Sequence, residues 1–93
     1  MHEKVLLRMR QAIRTREYYV TTHADEEMYD DDLSIRGVER VVATGRIVER
    51  QKDPQSSEWK HVIHGVSLDS EAAAVVAKFG FTDRLVIITV YRR

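Results

Sequence analysis

Residues 72–91, AAAVVAKFGFTDRLVIITVY, decide the fold of this chain because they contain two strand-like segments joined by a short turn. The second segment, residues 85–91, is dominated by β-branched and aromatic residues and is typical of a β-strand. The first, residues 72–79, has a composition compatible with a helix or a strand. Its hairpin spacing from the second segment favours a strand, so this region is predicted to be a β-hairpin.

Two further strands are predicted upstream, at residues 46–51 (RIVERQ) and 59–67 (WKHVIHGVS), separated by a loop that contains the single proline. The connections between the four strands are too short for parallel crossovers, so an antiparallel meander is expected. Helices are expected to cover one face of this sheet. The predicted fold is α+β: one domain, residues 1–93, with N-terminal helices packed on a C-terminal four-stranded antiparallel meander.

The N-terminal half is predicted to be mainly helical because its apolar residues recur at helical spacing. Thr22 is the expected N-cap of the second helix, with Asp25 completing a capping box, and Ser34 is the expected N-cap of the third. Gly45 fits a C′ position with positive φ. The predicted elements are helices at residues 3–16, 23–32 and 35–44 and a short strand at residues 18–22.

The apolar faces of these elements predict the core, in which strict alternation along the last strand places Ile87 and Val90 on opposite faces. At least one of these two residues is therefore expected to be less buried. The predicted core residues are Val5, Met9, Ile13, Met28, Val38, Val42, Ile63, Val75, Ile87 and Val90.

Composition narrows the classes of protein to which the chain can belong. Its 93 residues include no cysteine, which excludes disulfides and thiolate metal sites and favours a cytoplasmic location. Apolar runs are too short to span a membrane, and arginines interrupt the apolar residues near the start. The net charge is zero, but residues 21–33 contain six acidic and no basic residues. The blocks of charge fit either solvated faces or a basic surface for an anionic partner.

His23 is the first candidate for chemistry because it stands where a strand leads into a helix N-terminus, a place that favours anions. A histidine there suits general acid or base chemistry on a phosphodiester, and a purely structural helix-start residue is the alternative. His61 and His64 lie three apart on a strand, point to opposite faces and cannot form a close metal pair. No metal site and no cofactor are predicted.

The strands supply the remaining candidates. Thr89 and Tyr91 share a face of the last strand, where two hydroxyls could position a phosphate or a base. Arg46, Arg50 and Lys52 are expected on one face of the strand at residues 46–51, which suits phosphate contacts. The alternatives for these two sets are a strand that is simply rich in β-formers and an edge strand protected by charge.

Residues 18–92 contain an ordered set of motifs: Thr21-Thr22-His23-Ala24, Met28, Leu33-Ser34, Val38, Gly45, Arg46-Ile47-Val48-Glu49, His64-Gly65 and Ile87-Ile88-Thr89-Val90-Tyr91-Arg92. This ordered set resembles the family called domain of unknown function 4258. Small helix-then-sheet proteins of this type look like the RelE/ParE superfamily of toxins, which includes ribosome-dependent ribonucleases and gyrase poisons. The chain has aspartates at residues 30–32, where the resemblance leads one to expect an arginine.

The resemblance favours a toxin-like, metal-independent ribonuclease of a toxin–antitoxin pair, with RNA and a small antitoxin protein as partners. His23 and Tyr91 would be catalytic, and Arg46, Arg50 and Thr89 would bind RNA phosphate. His23, Arg46 and Tyr91 are expected to converge on a cleft between the second helix and the sheet. The alternative is a non-catalytic protein-binding module that docks a partner through an edge strand or the acidic helix.

Overall fold

The computed structural model describes residues 2–56, 58–80 and 82–93, and in these residues three helices accompany one five-stranded sheet. None of the helices in this part of the chain is long and apolar enough to cross a membrane. The predicted elements are confirmed, with ends that shift by at most two residues. The elements are α1 (Glu3–Thr15), β1 (Tyr18–Val20), α2 (Thr22–Asp30), α3 (Ile35–Thr44), β2 (Arg46–Lys52), β3 (Trp59–Val66), β4 (Ala72–Phe79) and β5 (Leu85–Arg92).

The strands lie in the order β1-β5-β4-β3-β2, and the last four form the predicted antiparallel meander. The predicted sheet is nevertheless incomplete, because β1 pairs in parallel with β5 and makes the sheet mixed and five-stranded. Tyr18 lies opposite Leu85, and Val20 lies opposite Ile87. A three-residue strand contains too little alternation to reveal a partner that lies more than sixty residues further along the chain.

The core lies between the helices and one face of the sheet, as predicted. Nine of the ten predicted core residues are buried, and Val5 is half-buried at the margin. Ile87 and Val90 are both fully buried, so the expectation that they face opposite ways is wrong. The reason is a bulge: Val76 pairs with Thr89 and Ala77 with Ile87, which leaves Ile88 as an extra residue that reverses the alternation.

A second bulge lies in β2, where Ile47 pairs with Ile63 and Glu49 with Val62. Val48 is the extra residue, and the side chains after it exchange faces. Bulges of this kind are common on edge strands, and β2 is an edge of the sheet. The two bulges decide which side chains meet on each face.

Backbone segments approach each other closely where α3 meets β2 and β3. A Cβ on Gly45 would lie 2.4 Å from the carbonyl oxygen of His64, and a Cβ on Gly65 would lie 2.7 Å from that of Val41. Gly45 has a φ of −86°, so the predicted positive φ is wrong. Glycine is required there because the neighbouring backbone leaves no room for a side chain.

Side chains satisfy the ends of the helices. Arg10 on α1 donates to the carbonyl oxygens of Val42 (3.1 Å) and Gly45 (2.8 Å) at the C-terminus of α3. Ser34 is the N-cap of α3, as predicted. The N-cap of α2 is Thr21 rather than Thr22, because the Thr21 hydroxyl accepts from the N–H of Ala24 and donates to the carbonyl of Ile88.

Candidate basic row on the uncovered face of the sheet

The helices pack on one face of the sheet, and in the described part of the chain the opposite face is left uncovered. Three predicted or motif residues meet in one cross-strand row on this uncovered face. Arg46 on β2 pairs with His64 on β3, His64 with Ala74 on β4, and Ala74 with Tyr91 on β5. Since paired residues point to the same side of a sheet, these side chains form one row, which we call the basic row.

The spacing of the basic row follows from the spacing of the strands. Neighbouring strands lie about 5 Å apart, so His64 and Tyr91 are separated by roughly 10 Å at their Cα atoms, with only the methyl group of Ala74 between them. Ala74 is fully buried although its face carries no helix, so the larger neighbouring side chains cover it. Tyr91 remains 37% exposed, which leaves its ring open to a ligand.

The surroundings of His64 favour a neutral imidazole. Partial burial lowers the pKa of His64 from its ordinary value of 6.5, and the positive charges of Arg93 and Arg46 lower it further. Glu49 acts in the opposite direction and is the weakest of these influences. A histidine that is neutral near pH 7 and flanked by two arginines can accept a proton beside a bound anion.

Thr89 lies in the neighbouring row, opposite Val76, and its side chain points to the same uncovered face as that of Tyr91. The prediction that these two hydroxyl residues share a face is therefore confirmed. It holds because the bulge at Ile88 precedes both residues and does not separate them. Both hydroxyls are available on the face that carries the basic row.

Arg50 is not part of this row, and the predicted alignment of Arg46, Arg50 and Lys52 on one face is wrong. The bulge at Val48 turns Arg50 towards the helix side of the sheet, where it pairs with the buried His61. Lys52 follows it to that side. The guanidinium of Arg50 lies 4.3 Å above the centre of the Trp59 ring.

His23 lies apart from the basic row, at the edge of the sheet on α2. Its side chain is 66% exposed, and its Nε2 atom lies 3.3 Å from a carboxylate oxygen of Glu27. The other oxygen of Glu27 accepts from the backbone N–H of Val90 on β5. Because α2 lies along β5, three strands separate His23 from Arg46 on β2, so the structure does not bring His23 into one cleft with Arg46 and Tyr91.

The acidic segment has a structural role that the sequence did not reveal. The carboxylates of Glu27 and Asp31 accept from the N–H groups of Val90 and Arg92, which lie beyond the end of β1 on the same edge of β5. The α2 helix therefore covers an edge that no strand pairs in the described residues. Within those residues, no group of three or more histidine and acidic side chains could hold a metal ion.

The residue that sequence reasoning missed is His64, whose spacing from His61 raised only the question of a metal site. The available signal was its position directly before Gly65, a glycine that allows α3 to touch the sheet and fixes the strand beneath the histidine. Its neighbour His61 faces the helices and is 6% exposed, so one histidine is buried and the other faces the open side, as expected. Only the register of four strands shows that His64 stands between Arg46 and Tyr91.

A groove of about 620 Å³ lies elsewhere, between the junction of α2 and α3 and the turn from β3 to β4. Its rim carries two exposed apolar side chains, Tyr29 at 88% and Leu68 at 59%. Asp32 and Asp69 also line it. Arg92 fixes its walls by donating to the backbone oxygen of Asp32 and to the carboxylate of Asp69. The groove is both apolar and acidic, in contrast to the basic row.

Comparison with curated proteins and with solved structures gave no match. Comparison with protein-family models gave a match over residues 20–92, to the family described as Domain of unknown function (DUF4258). The matched segment contains every strand except the first two residues of β1, together with α2, α3 and the whole basic row. On this match over most of its length, the chain belongs to the DUF4258 family.

Proposed function

We propose that this protein is a toxin-like, metal-independent ribonuclease whose active surface is the basic row. The observation that carries the proposal is the alignment of Arg46, His64 and Tyr91 across four strands of the uncovered face. This row combines a cation, a proton acceptor and a proton donor. Those are the groups that cleavage of a phosphodiester by acid–base chemistry needs.

The proposed reaction is attack by the ribose 2′-oxygen on the adjacent phosphorus. His64 takes the proton from the 2′-hydroxyl as the O2′–P bond forms. Tyr91, on the other side of Ala74, gives a proton to the 5′-oxygen as the P–O5′ bond breaks. Arg46 and Arg93 stabilise the negative charge that develops on the phosphate oxygens. The products are a 2′,3′-cyclic phosphate and a 5′-hydroxyl end.

Three properties of the uncovered face support these roles. The lowered pKa of His64 keeps its imidazole able to accept a proton at neutral pH. The separation of roughly 10 Å between the Cα atoms of His64 and Tyr91 lets an acid and a base stand on opposite sides of one phosphate. Thr89, on the same face, offers a further hydroxyl for a phosphate or a base.

The test is cleavage of a labelled single-stranded RNA by the wild-type protein and by two matched histidine variants. His64→Ala should reduce the cleavage rate by about 10²-fold or more, because the proton acceptor is lost. His23→Ala should leave the rate unchanged, because His23 lies at the other edge of the β5 strand beside Glu27. Both variants should keep the wild-type melting temperature.

Two outcomes would contradict the proposal. Equal cleavage by His64→Ala and wild type would remove His64 from the reaction, and loss of cleavage in His23→Ala alone would return the acid–base role to His23. Because the proposed attack needs a free 2′-hydroxyl, RNA with 2′-O-methyl groups should resist cleavage. Cleavage of such RNA at the normal rate would exclude the reaction described above.

The second candidate function is a non-catalytic protein-binding module, which the acidic groove favours. Tyr29 and Leu68 expose apolar surface beside Asp32 and Asp69, which suits a cationic segment with an apolar anchor. A small antitoxin protein would be such a partner. Calorimetric titration of a candidate neighbour-encoded protein with wild type and with Tyr29→Ala tests this function, since the variant should bind more weakly.

A further inference from the structure

The helix side of the sheet carries an exposed aromatic ring among cations at the end of the β2–β3 hairpin. Trp59 is 44% exposed and is the single tryptophan of the chain. The guanidinium of Arg50 lies 4.3 Å from the ring centre, and the ammonium group of Lys52 lies 5.8 Å from it. Both cations reach the ring because the bulge at Val48 turned them to this side of β2.

These cations are not neutralised by nearby carboxylates. Among the described residues, neither Arg50 nor Lys52 forms an ion pair. The two acidic residues nearest to the hairpin loop, Asp53 and Glu58, are engaged by Lys78 instead, at 3.9 and 2.7 Å. The hairpin end therefore presents positive charge around an exposed ring.

A second ring continues the same surface. His61 on β3 pairs with Ala77 on β4. Continuing this antiparallel register by two residues places Trp59 opposite Phe79, with both side chains on the same side of the sheet. The guanidinium of Arg8 on α1 lies 4.0 Å from the centre of the Phe79 ring. Two neighbouring aromatic rings, each with an arginine against it, place cationic groups beside stacking groups.

We propose that Arg50, Lys52 and Trp59, which we call the Trp59 surface, bind single-stranded nucleic acid. The indole stacks on an unpaired base, and the two cations contact the flanking phosphates. Aromatic stacking accepts any base, because every base offers a π-face, and cations beside the ring follow the backbone. A double helix is excluded because its bases are already stacked inside it.

The Trp59 surface is distinct from the basic row. Trp59 and His64 lie five residues apart on β3 and on opposite faces, which places them about 17 Å apart along the strand. Binding at the Trp59 surface does not need cleavage to occur. A single strand that contacts both regions would have to pass around the edge strand β2, because the two regions lie on opposite faces of the sheet.

Binding at the Trp59 surface can be measured directly, because Trp59 is the only source of tryptophan fluorescence in the chain. The probe is 2′-O-methyl RNA of about ten nucleotides, a length within the usual site size of single-strand binders. This probe lacks the 2′-hydroxyl, so it cannot be cleaved by the reaction proposed for the basic row. Quenching of fluorescence on titration, with weaker affinity at higher salt, is the expected result.

Four variants test whether the probe binds at the Trp59 surface rather than at the acidic groove or the basic row, with anisotropy of a labelled probe as the readout. Trp59→Ala should raise the Kd by about 5- to 150-fold. Trp59→Phe should recover part of the lost affinity because it keeps an aromatic ring. Tyr29→Ala removes an exposed aromatic residue from the acidic groove and should leave the Kd unchanged. His64→Ala measures how much of the affinity comes from the basic row, and its effect on the Kd should be smaller than that of Trp59→Ala.

The same measurements can overturn the inference. Unchanged affinity in Trp59→Ala, or equal affinity for duplex and single-stranded probes, would exclude stacking on Trp59. A Kd that rises in His64→Ala and not in Trp59→Ala would place binding on the basic row alone. Failure of wild-type RNA cleavage together with intact quenching would overturn the proposed ribonuclease and leave the Trp59 surface standing.

Discussion

Glu27 and Val90 are joined by a hydrogen bond of 3.0 Å between a helix carboxylate and a strand N–H. This contact holds α2 along the edge of β5 beyond the last residue that β1 pairs. It also explains why an acidic helix can pack against a sheet, since the strand edge supplies donors and the helix supplies acceptors. The stability of the fold should therefore depend on this contact between α2 and the sheet.

Glu27→Ala should lower the free energy of unfolding by about 1–3 kcal/mol, because it leaves the N–H of Val90 without its acceptor. Glu26→Ala is the matched control, since Glu26 is exposed on the same helix and its loss removes the same charge. Urea denaturation of both variants measures the difference. Equal stability of the two variants would show that the edge contact contributes nothing.

Gly65→Ala should be destabilising, because its Cβ would stand 2.7 Å from the carbonyl oxygen of Val41. Relief of that overlap requires α3 to move from the sheet, at a cost of about 1–3 kcal/mol. Gly80→Ala is the control, because the nearest atom to its Cβ would be a methyl carbon of Val86 at 3.9 Å. Thermal melting compares the two, and a Gly65→Ala protein as stable as Gly80→Ala would contradict the close approach.

The pKa of His64 should rise when a neighbouring arginine is removed. Arg46 is one of the two cations that lower it, so Arg46→Gln should move the His64 titration to higher pH. Arg36→Gln, an exposed change on α3, should not move it. NMR titration of the His64 ring measures both. If His64 is the proton acceptor in RNA cleavage, the acidic limb of the rate profile should shift by the same amount in Arg46→Gln.

His61 should make the protein sensitive to acid. Burial lowers the pKa of His61, with further lowering by Arg50 and His2, and its Nδ1 atom is buried without a hydrogen-bond partner among the described residues. As the pH falls, His61 is protonated in the unfolded chain before it is protonated in the folded protein. The stability present above pH 6.5 is therefore lost as the pH falls towards the lowered pKa of the folded state. His61→Leu should lose less stability than wild type between pH 7 and about pH 5 in urea denaturation. Parallel losses in the two proteins would contradict this role of His61.

Much of the fold was predictable from sequence, and the errors about which side chains share a face have a common physical origin. Periodicity predicted the elements because each one buries a regular stripe, as Val38 and Val42 do on α3. The bulges at Val48 and Ile88 were not predictable, because a residue is extra only relative to the strand that pairs with it. The sequence of one strand alone does not show which residue will be unpaired. They moved Arg50 off the predicted row and placed Ile87 and Val90 on one face.

The candidate site was predictable only in part. Thr89 and Tyr91 share a face, as predicted, because β5 keeps its alternation after Ile88. Arg46 lies on that same face through the pairing of β2 with β3. The link from these residues to His64 depends on the register of three strand pairs, which the sequence does not specify. The position of His23 depends on α2 lying along the edge of β5, a contact made by Glu27 and Asp31 with backbone groups.

The two edges of the sheet resist the addition of a further strand by different means. On one side the edge strand β1 is only three residues long, and beyond it the carboxylates of α2 occupy donors of β5. On the other side β2 carries the bulge at Val48 followed by exposed charged and polar side chains. A strand from a second molecule would meet a very short strand followed by occupied donors on one side, and a bulged, charged strand on the other. The protein is therefore protected against fibril growth by edge-to-edge pairing, even though its four-stranded meander is rich in valine and isoleucine.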